Sequence, residues 1–235
     1  MKNSDRFISL FKKLEKLVAE QSQLPRDESF SKMLAEITRG NTVFRHYKEY
    51  IQQYAKLRNA IVHESVSDDK AIAEPHDEVL SRLEEIVKKI ENPAKVIPKF
   101  QVKIESVKPG TMISDALDRF YKGNYSQLPV IEDGKFFDLL TTDAVARWIA
   151  AHKEKGGYLL ENVAIREVLP YKEVQDNFSF ISRRTTLLDV LEIFRKIDYK
   201  EQPLDALLIT NDGKKEQKLM GIITHYDVSK IYSLI

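Results

Sequence analysis

The sequence predicts an α+β protein, in which an all-α N-terminal part precedes a C-terminal part built from two similar units. Only one of the eight glycines, Gly40, lies within residues 1–92. Because glycine marks strand ends and tight turns, this distribution indicates a helical first part and a mixed second part. Apolar residues recur at helical spacing in the first part. A pattern of strands, turns and helices occurs twice after residue 93.

Composition narrows the class of protein. The 235 residues include 37 basic and 36 acidic side chains and no cysteine. The absence of cysteine excludes disulfides, thiolate zinc sites and cysteine nucleophiles, and the near-zero net charge argues against attachment to nucleic acid by charge alone. Since no apolar run approaches the ~20 residues of a membrane span and residues 1–10 do not resemble a signal peptide, we expect a cytoplasmic protein without a membrane partner.

Four one-sided apolar stripes predict four helices in a first domain, residues 1–92. The stripes consist of Phe7, Leu10, Phe11, Leu14, Leu17 and Val18, then Phe30, Met33, Leu34 and Ile37, then Val43, Tyr47, Tyr50, Tyr54, Leu57 and Ile61, and finally Val79, Leu80, Leu83, Ile86, Val87 and Ile90. Helices with one apolar side bury it against each other, so we expect a four-helix bundle. Asn92, Pro93 and Pro98 then end the helical pattern.

The remaining chain divides into two repeats, residues 93–157 and 158–235. The matching stretches are residues 104–107 and 178–181, Thr111 and Thr185, Asp115 and Asp189, residues 128–134 and 206–213, and residues 137–143 and 220–227. Each copy predicts a short strand, a helix, a hairpin of two strands and a final helix. Units of about 60 residues are too small for a robust core alone. We therefore expect the repeats to pack face to face, with Trp148 and Phe120 between them.

The β-α-β-β-α order, the Leu128-Pro129-Val130 strand and the Gly221-Ile-Ile-Thr-x-x-Asp227 ending resemble a tandem pair of CBS domains over residues 96–235. The resemblance implies a regulatory module that is not usually catalytic. Its clefts between the two copies would bind an adenine nucleotide (AMP, ADP or ATP) or a related adenosyl ligand. It implies neither a metal nor another cofactor.

The second copy carries the better candidate ligand site. Asp227 is suited to accept hydrogen bonds from both hydroxyls of a ribose, and Thr224 presents a hydroxyl before a helix whose free N–H groups suit a phosphate. His225 and Tyr226 are expected to flank the same phosphate or the base. The alternative is that Thr224 and Asp227 only cap the last helix. By resemblance, the base would be enclosed by Ala206 and Leu208 of one strand and by Phe180 and Ser182 of another.

The first copy departs from this pattern. Asp138 stands at the glycine position and Ala144 at the position of the ribose-binding aspartate. Asp143 lies one residue early, in Thr141-Thr142-Asp143. Either a one-residue deletion still lets Asp143 reach the cleft, or this site is degenerate or differently specific. The sequence thus predicts one well-formed nucleotide site and leaves the first one open.

The helical part carries the sequence Leu57-Arg58-Asn59-Ala-Ile-Val-His63. An Arg, four intervening residues and a His on a four-helix bundle resemble the HEPN family, which implies a metal-independent ribonuclease site pooled from two protomers. His63 would act as general acid or base, and Arg58 would stabilise charge on the phosphate. Asn59 fills the polar position that often follows the Arg. Helical geometry places Arg58 and His63 ~140° apart, so a symmetric dimer is expected to combine them.

The other interpretation of these residues is structural. Arg58 and His63 near a helix C-terminus favour the helix dipole, or bond to Glu64 or a neighbouring helix. Residues 1–92 contain 16 basic and 16 acidic side chains, which offers no general attraction for RNA. The leading hypothesis is therefore a homodimeric ligand-sensing regulatory protein, and the alternative is a nucleotide-regulated ribonuclease of HEPN type.

Overall fold

The computed structural model describes residues 2–25, 27–63, 65–67, 70–153, 162–198 and 204–235. The chain forms two compact units, Met1–Ala94 and Lys95–Ile235. The predicted boundary between the repeats, at residues 157 and 158, lies outside the described residues. Within the described parts, no helix combines the length and the apolarity that crossing a membrane requires.

The N-terminal unit contains helices α1 (Asn3–Gln21), α2 (Phe30–Gly40), α3 (Thr42–His63) and α4 (Asp77–Glu91). Each predicted stripe lies in one of these helices, and most of its members are buried. Local capping explains where the helices start: Ser29 Oγ accepts from Lys32 N, and Asn41 Oδ1 accepts from Val43 N. A small antiparallel hairpin, β1 (Ser65–Ser67) and β2 (Lys70–Ala71), interrupts the predicted all-α unit. The α+β class is confirmed.

The first half of the C-terminal unit contains a turn of helix, α5 (Val96–Lys99), then α6 (Ile113–Gly123), β3 (Gln127–Glu132), β4 (Lys135–Thr141), α7 (Thr142–His152) and α8 (Ile165–Val168). Strands β3 and β4 are antiparallel and meet at the Asp133-Gly134 turn, where both residues have positive φ. The strand expected at residues 104–107 is reduced to a single parallel bridge between Val107 and Val130.

The second half contains β5 (Phe178–Ser182), α9 (Leu187–Asp198), β6 (Ala206–Thr210), β7 (Gly221–Ile223) and α10 (Val228–Tyr232). Strand β6 lies in the middle of its sheet, parallel to β5 and antiparallel to β7. In the first half, β3 likewise lies between the parallel Val107 bridge and antiparallel β4. This shared order places the start of α7 and the turn after β7 at corresponding ends of the two sheets.

Among the apolar clusters of the C-terminal unit, two concern the contact between the repeats. Phe120 and Trp148 belong to a cluster that combines residues 107–148 of the first repeat with Ile165, Val168 and Leu169 of the second, so they pack between the repeats as expected. They lie on α6 and α7, which cover their own sheet. A second cluster also joins the repeats, through Phe136 and Leu139 of β4 with Ala206 and Leu208 of β6.

Candidate ligand-binding site

A further repeated segment, which sequence reasoning missed, precedes the first strand of each copy. Residues 96–102 read Val-Ile-Pro-Lys-Phe-Gln-Val, and residues 168–174 read Val-Leu-Pro-Tyr-Lys-Glu-Val. We call them the first and second leading segments. In both, the first valine and the fifth residue, Phe100 or Lys172, are buried. The constant spacing of 72 positions was the signal that could have revealed them.

Each leading segment packs on the closing strand of the other repeat. Val102 N donates to the Met220 carbonyl at 3.3 Å, just before β7. A Cβ on Gly221 would lie 2.1 Å from the Phe100 carbonyl oxygen, so this position admits only glycine without displacing the backbone. Lys172 of the second segment bonds to Asp138 of β4. The first predicted cleft would therefore lie between residues 168–174 and β4 with α7, and the second between residues 96–102 and β7 with the turn after it.

In the second cleft, Asp227 is held in place by Thr224. Its Oδ2 accepts from Thr224 N at 2.9 Å and from Thr224 Oγ1 at 3.3 Å. Oδ1 has no hydrogen bond or ion pair within the described part of the chain. His225 and Tyr226 lie in the same turn and are exposed, and the His225 ring packs 4.5 Å from that of Phe194. Capping is therefore present, but it uses one carboxylate oxygen and leaves the other free.

The predicted helix N-terminus in this cleft is short. A 3₁₀ turn, His225–Asp227, precedes α10, which has five residues. Asp227 N donates to the Thr224 carbonyl at 3.0 Å, so that N–H is not free for a phosphate. A phosphate at this end of the sheet would thus depend on side chains more than on the helix.

In the first cleft, the corresponding residues are engaged within the chain. Thr141 Oγ1 accepts from Ala144 N at 3.1 Å and caps α7. Thr142 is exposed, and Asp143 Oδ2 lies 2.7 Å from Arg147 Nε. The hydrogen bond to the Asp143 carboxylate and its charge raise the pKa of Arg147 above its usual range.

The residues expected to enclose the base are spread along the second sheet. Ala206 and Leu208 are completely buried in the cluster between the repeats, and Phe180 packs against Phe136 at a centroid distance of 5.2 Å. Ser182 pairs with Thr210, four positions along β6 from Ala206, or about 13 Å at the usual rise per residue. The structure brings residues 224–227 together and places Ser182 at the opposite end of the sheet.

A large cavity of this unit does not contain the predicted ligand residues. It has a volume of about 970 Å³ and lies at the hairpin end of the repeats. Its apolar lining comes from Val102, Ile104, Ile131, Leu219 and Met220. Among the described residues, no group of three or more side chains is arranged to hold a metal ion.

In the N-terminal unit, Arg58 and His63 are close within one chain. Arg58 Nη1 lies 3.5 Å from His63 Nε2 and 3.3 Å from Asn59 Oδ1. The expectation that the two groups diverge by ~140° and need a partner chain to meet is therefore wrong, because the long Arg58 side chain reaches His63 on the C-terminal side of it in the same helix. Arg58 Nε is also 3.9 Å from Glu15 Oε1 of the neighbouring α1. Glu64 lies outside the described residues.

Comparison with known families identifies the C-terminal unit. The model of the CBS domain matches residues 99–151 and 166–233, together just over half of the chain. The chain belongs to the CBS-domain family, and the predicted tandem pair is confirmed. No match is found among curated proteins.

Solved structures of CBS proteins resemble the chain at low identity. CBSX2, solved in complex with AMP, is 18% identical over 60% of this chain and 97% of its own, with a TM-score of 0.43. ATU1752 from Agrobacterium tumefaciens is 17% identical over 55% and 84%, with a TM-score of 0.41. MJ1225 from Methanocaldococcus jannaschii is 18% identical over 76% and 63%, with a TM-score of 0.46. Because all three scores are below 0.5, the family assignment rests on the family model.

Proposed function

We propose that this protein is a regulatory ligand sensor whose second cleft binds an adenine nucleotide or a related adenosyl ligand. The observation that carries the proposal is the state of Asp227. One carboxylate oxygen is fixed by Thr224, while Oδ1 has no bond within the described residues. A preoriented carboxylate with an open oxygen suits the hydroxyl pair of a ribose, since charge-assisted hydrogen bonds are about twice as strong as neutral ones.

The surroundings of Asp227 are consistent with this role. Within the described residues, no basic side chain neutralises it by an ion pair. The exposed His225 and Tyr226 in the same turn supply a ring nitrogen and an aromatic face for a phosphate or a base. The ligand would act on the helical unit only through different affinities for two arrangements of the protein, so regulation requires such a difference. We also propose that the working form is a cytoplasmic homodimer.

Isothermal titration calorimetry of the full chain with AMP, ATP, S-adenosylmethionine and cyclic di-AMP tests the site. The ligand that binds should lose about 10- to 100-fold in affinity for Asp227→Ala, the magnitude expected for lost hydrogen bonds to a charged group. The matched control is Glu216→Ala, an exposed acidic residue of the same repeat outside the clefts. Equal affinity of wild type and Asp227→Ala, or no binding of any of the four ligands, would contradict the proposal.

One observation favours a second candidate function, a metal-independent ribonuclease in the N-terminal unit. The 3.5 Å separation of Arg58 and His63 places a cation and a proton-transfer group within reach of one phosphate, and His63 is exposed. RNA cleavage in the presence of EDTA, with and without nucleotide, tests it. Cleavage that disappears in both His63→Ala and Arg58→Ala would support the ribonuclease. Absence of cleavage by wild type under every condition would exclude it.

A further inference from the structure

The two clefts differ at corresponding positions of the chain. In the second cleft, Phe100 of the first leading segment faces Gly221, and the contact is made by a backbone carbonyl. In the first cleft, the same two positions are Lys172 and Asp138. Where the second cleft has an apolar residue packed against a glycine, the first cleft therefore has a lysine paired with an aspartate.

The Lys172 side chain is buried, and its ammonium has several partners. The Lys172 side chain is only 2% exposed, and Nζ lies 2.5 Å from Asp138 Oδ1 and 2.6 Å from the Gln175 carbonyl. The ammonium also lies 5.6 Å from the centre of the Phe178 ring. Burying an ammonium is unfavourable unless such partners compensate it, so the side chain is held where it is. Lys172 thereby ties the second leading segment to β4.

A second bridge connects the same two walls. Arg147 Nε lies 2.7 Å from Asp143 Oδ2, and Arg147 Nη2 lies 3.1 Å from Glu173 Oε1 in the leading segment. Asp143 is the acid that the sequence offered for a ribose in this cleft. These groups are exposed, so the bridge adds little stability, but it engages the Asp143 carboxylate and joins α7 to the second leading segment.

The second cleft lacks both bridges. Lys230 follows Thr224 by six positions, as Arg147 follows Thr141. Its Nζ lies 4.9 Å from the centre of the Phe100 ring, and it forms no ion pair in the part of the chain that the structure describes. Gln101 replaces Glu173 in the leading segment.

We infer that Asp138, Lys172, Arg147 and Glu173 are specificity-determining residues that close the first cleft with the chain's own charges. A nucleotide then binds in the second cleft alone, one per chain. This inference rests on the proposed function for its ligand, but the closure itself is a property of the protein without ligand. The two can therefore be tested separately.

Lysine acetylation followed by mass spectrometry tests the closure without a nucleotide. Lys172 should react at least tenfold more slowly than Lys99, the exposed lysine of the other leading segment. In Asp138→Gly, which removes the partner, the reactivity of Lys172 should rise toward that of Lys99. Equal reactivity of Lys172 and Lys99 in wild type would overturn the closure, whatever the protein binds.

Calorimetry with whichever of AMP, ATP, S-adenosylmethionine and cyclic di-AMP binds wild type tests the consequence. Wild type should bind one ligand per chain, and Asp143→Ala should bind it within twofold of the wild-type affinity. Two ligands per chain, or a fivefold loss in Asp143→Ala, would overturn the inference while leaving the proposed function standing. In the opposite case, wild type binds none of the four compounds, yet Lys172 reacts slowly. That result would contradict the proposed function and still support the closure of the first cleft.

Discussion

Replacing Lys172 by methionine should destabilise the C-terminal unit by about 3 kcal/mol. Removing one partner of a buried ion pair costs ~3–5 kcal/mol, because the other charge is left uncompensated. The Asp138 side chain is 21% exposed, so water can partly hydrate its carboxylate and the cost falls at the low end of that range. Methionine keeps an unbranched side chain of similar length, so the change removes the charge, its hydrogen bonds and its contact with the Phe178 ring.

Thermal unfolding followed by tryptophan fluorescence measures the stability of the C-terminal unit specifically. Trp148 is the single tryptophan of the chain and lies in the apolar cluster of residues 107–169. For a unit of this size, about 3 kcal/mol corresponds to a decrease in Tm of roughly 6–12 °C.

The matched control is Arg147→Met, which breaks the exposed bridge of the same cleft and should lower Tm much less. A double change, Asp138→Leu with Lys172→Met, should recover part of the loss because no charge remains buried. If Lys172→Met shifts Tm no more than Arg147→Met does, then the pair is not the enclosed contact described above.

Three further predictions concern other contacts. Gly221→Ala should destabilise the C-terminal unit by about 1–3 kcal/mol in urea unfolding, because its Cβ would meet the Phe100 carbonyl at 2.1 Å; an unchanged midpoint would contradict that contact. Phe136→Ala, which removes a ring that is 4% exposed between the repeats, should cost about 3–5 kcal/mol in the same assay. Hydrogen bonds from Ser4 N and Oγ lower the pKa of Glu74, so its stabilising effect is present above the ordinary glutamate pKa and is lost as pH falls through the lowered one. Glu74→Gln should flatten that part of the acid unfolding profile, and an unaltered profile would refute the assignment.

Much of the fold was predictable because it depends on local periodicity. The stripes of the four N-terminal helices repeat with helical spacing, and the duplicated hairpins carry Asp-Gly turns, so both patterns can be recognised within short windows of sequence. The hairpin of residues 65–67 and 70–71 was missed because strands of three and two residues are too short to show a periodic apolar pattern. The strand expected at residues 104–107 was overestimated, since only Val107 is bridged to a neighbouring strand.

The candidate site was predictable only in part. Thr224 and Asp227 were found because three positions separate them in a duplicated motif, and local hydrogen bonds hold them together. The partners of Asp138 could not be found in the same way. Lys172 is 34 residues away in sequence, and the contact depends on how the leading segment crosses β4. The predicted direction of the Arg58 side chain was wrong, because the helical angle between two residues does not fix where a long, flexible side chain ends.

The sequence by itself determined the α+β class, the helices, the duplication and the Thr-x-x-Asp turn, because each depends on residues close together along the chain. Tertiary structure alone decided that the two clefts differ in what fills them. The sequence showed an aspartate at position 138, where the second repeat has Gly221. Only the packing of the second leading segment showed that a buried ammonium compensates that charge, because the cost of burying a charge is set by its partners in space.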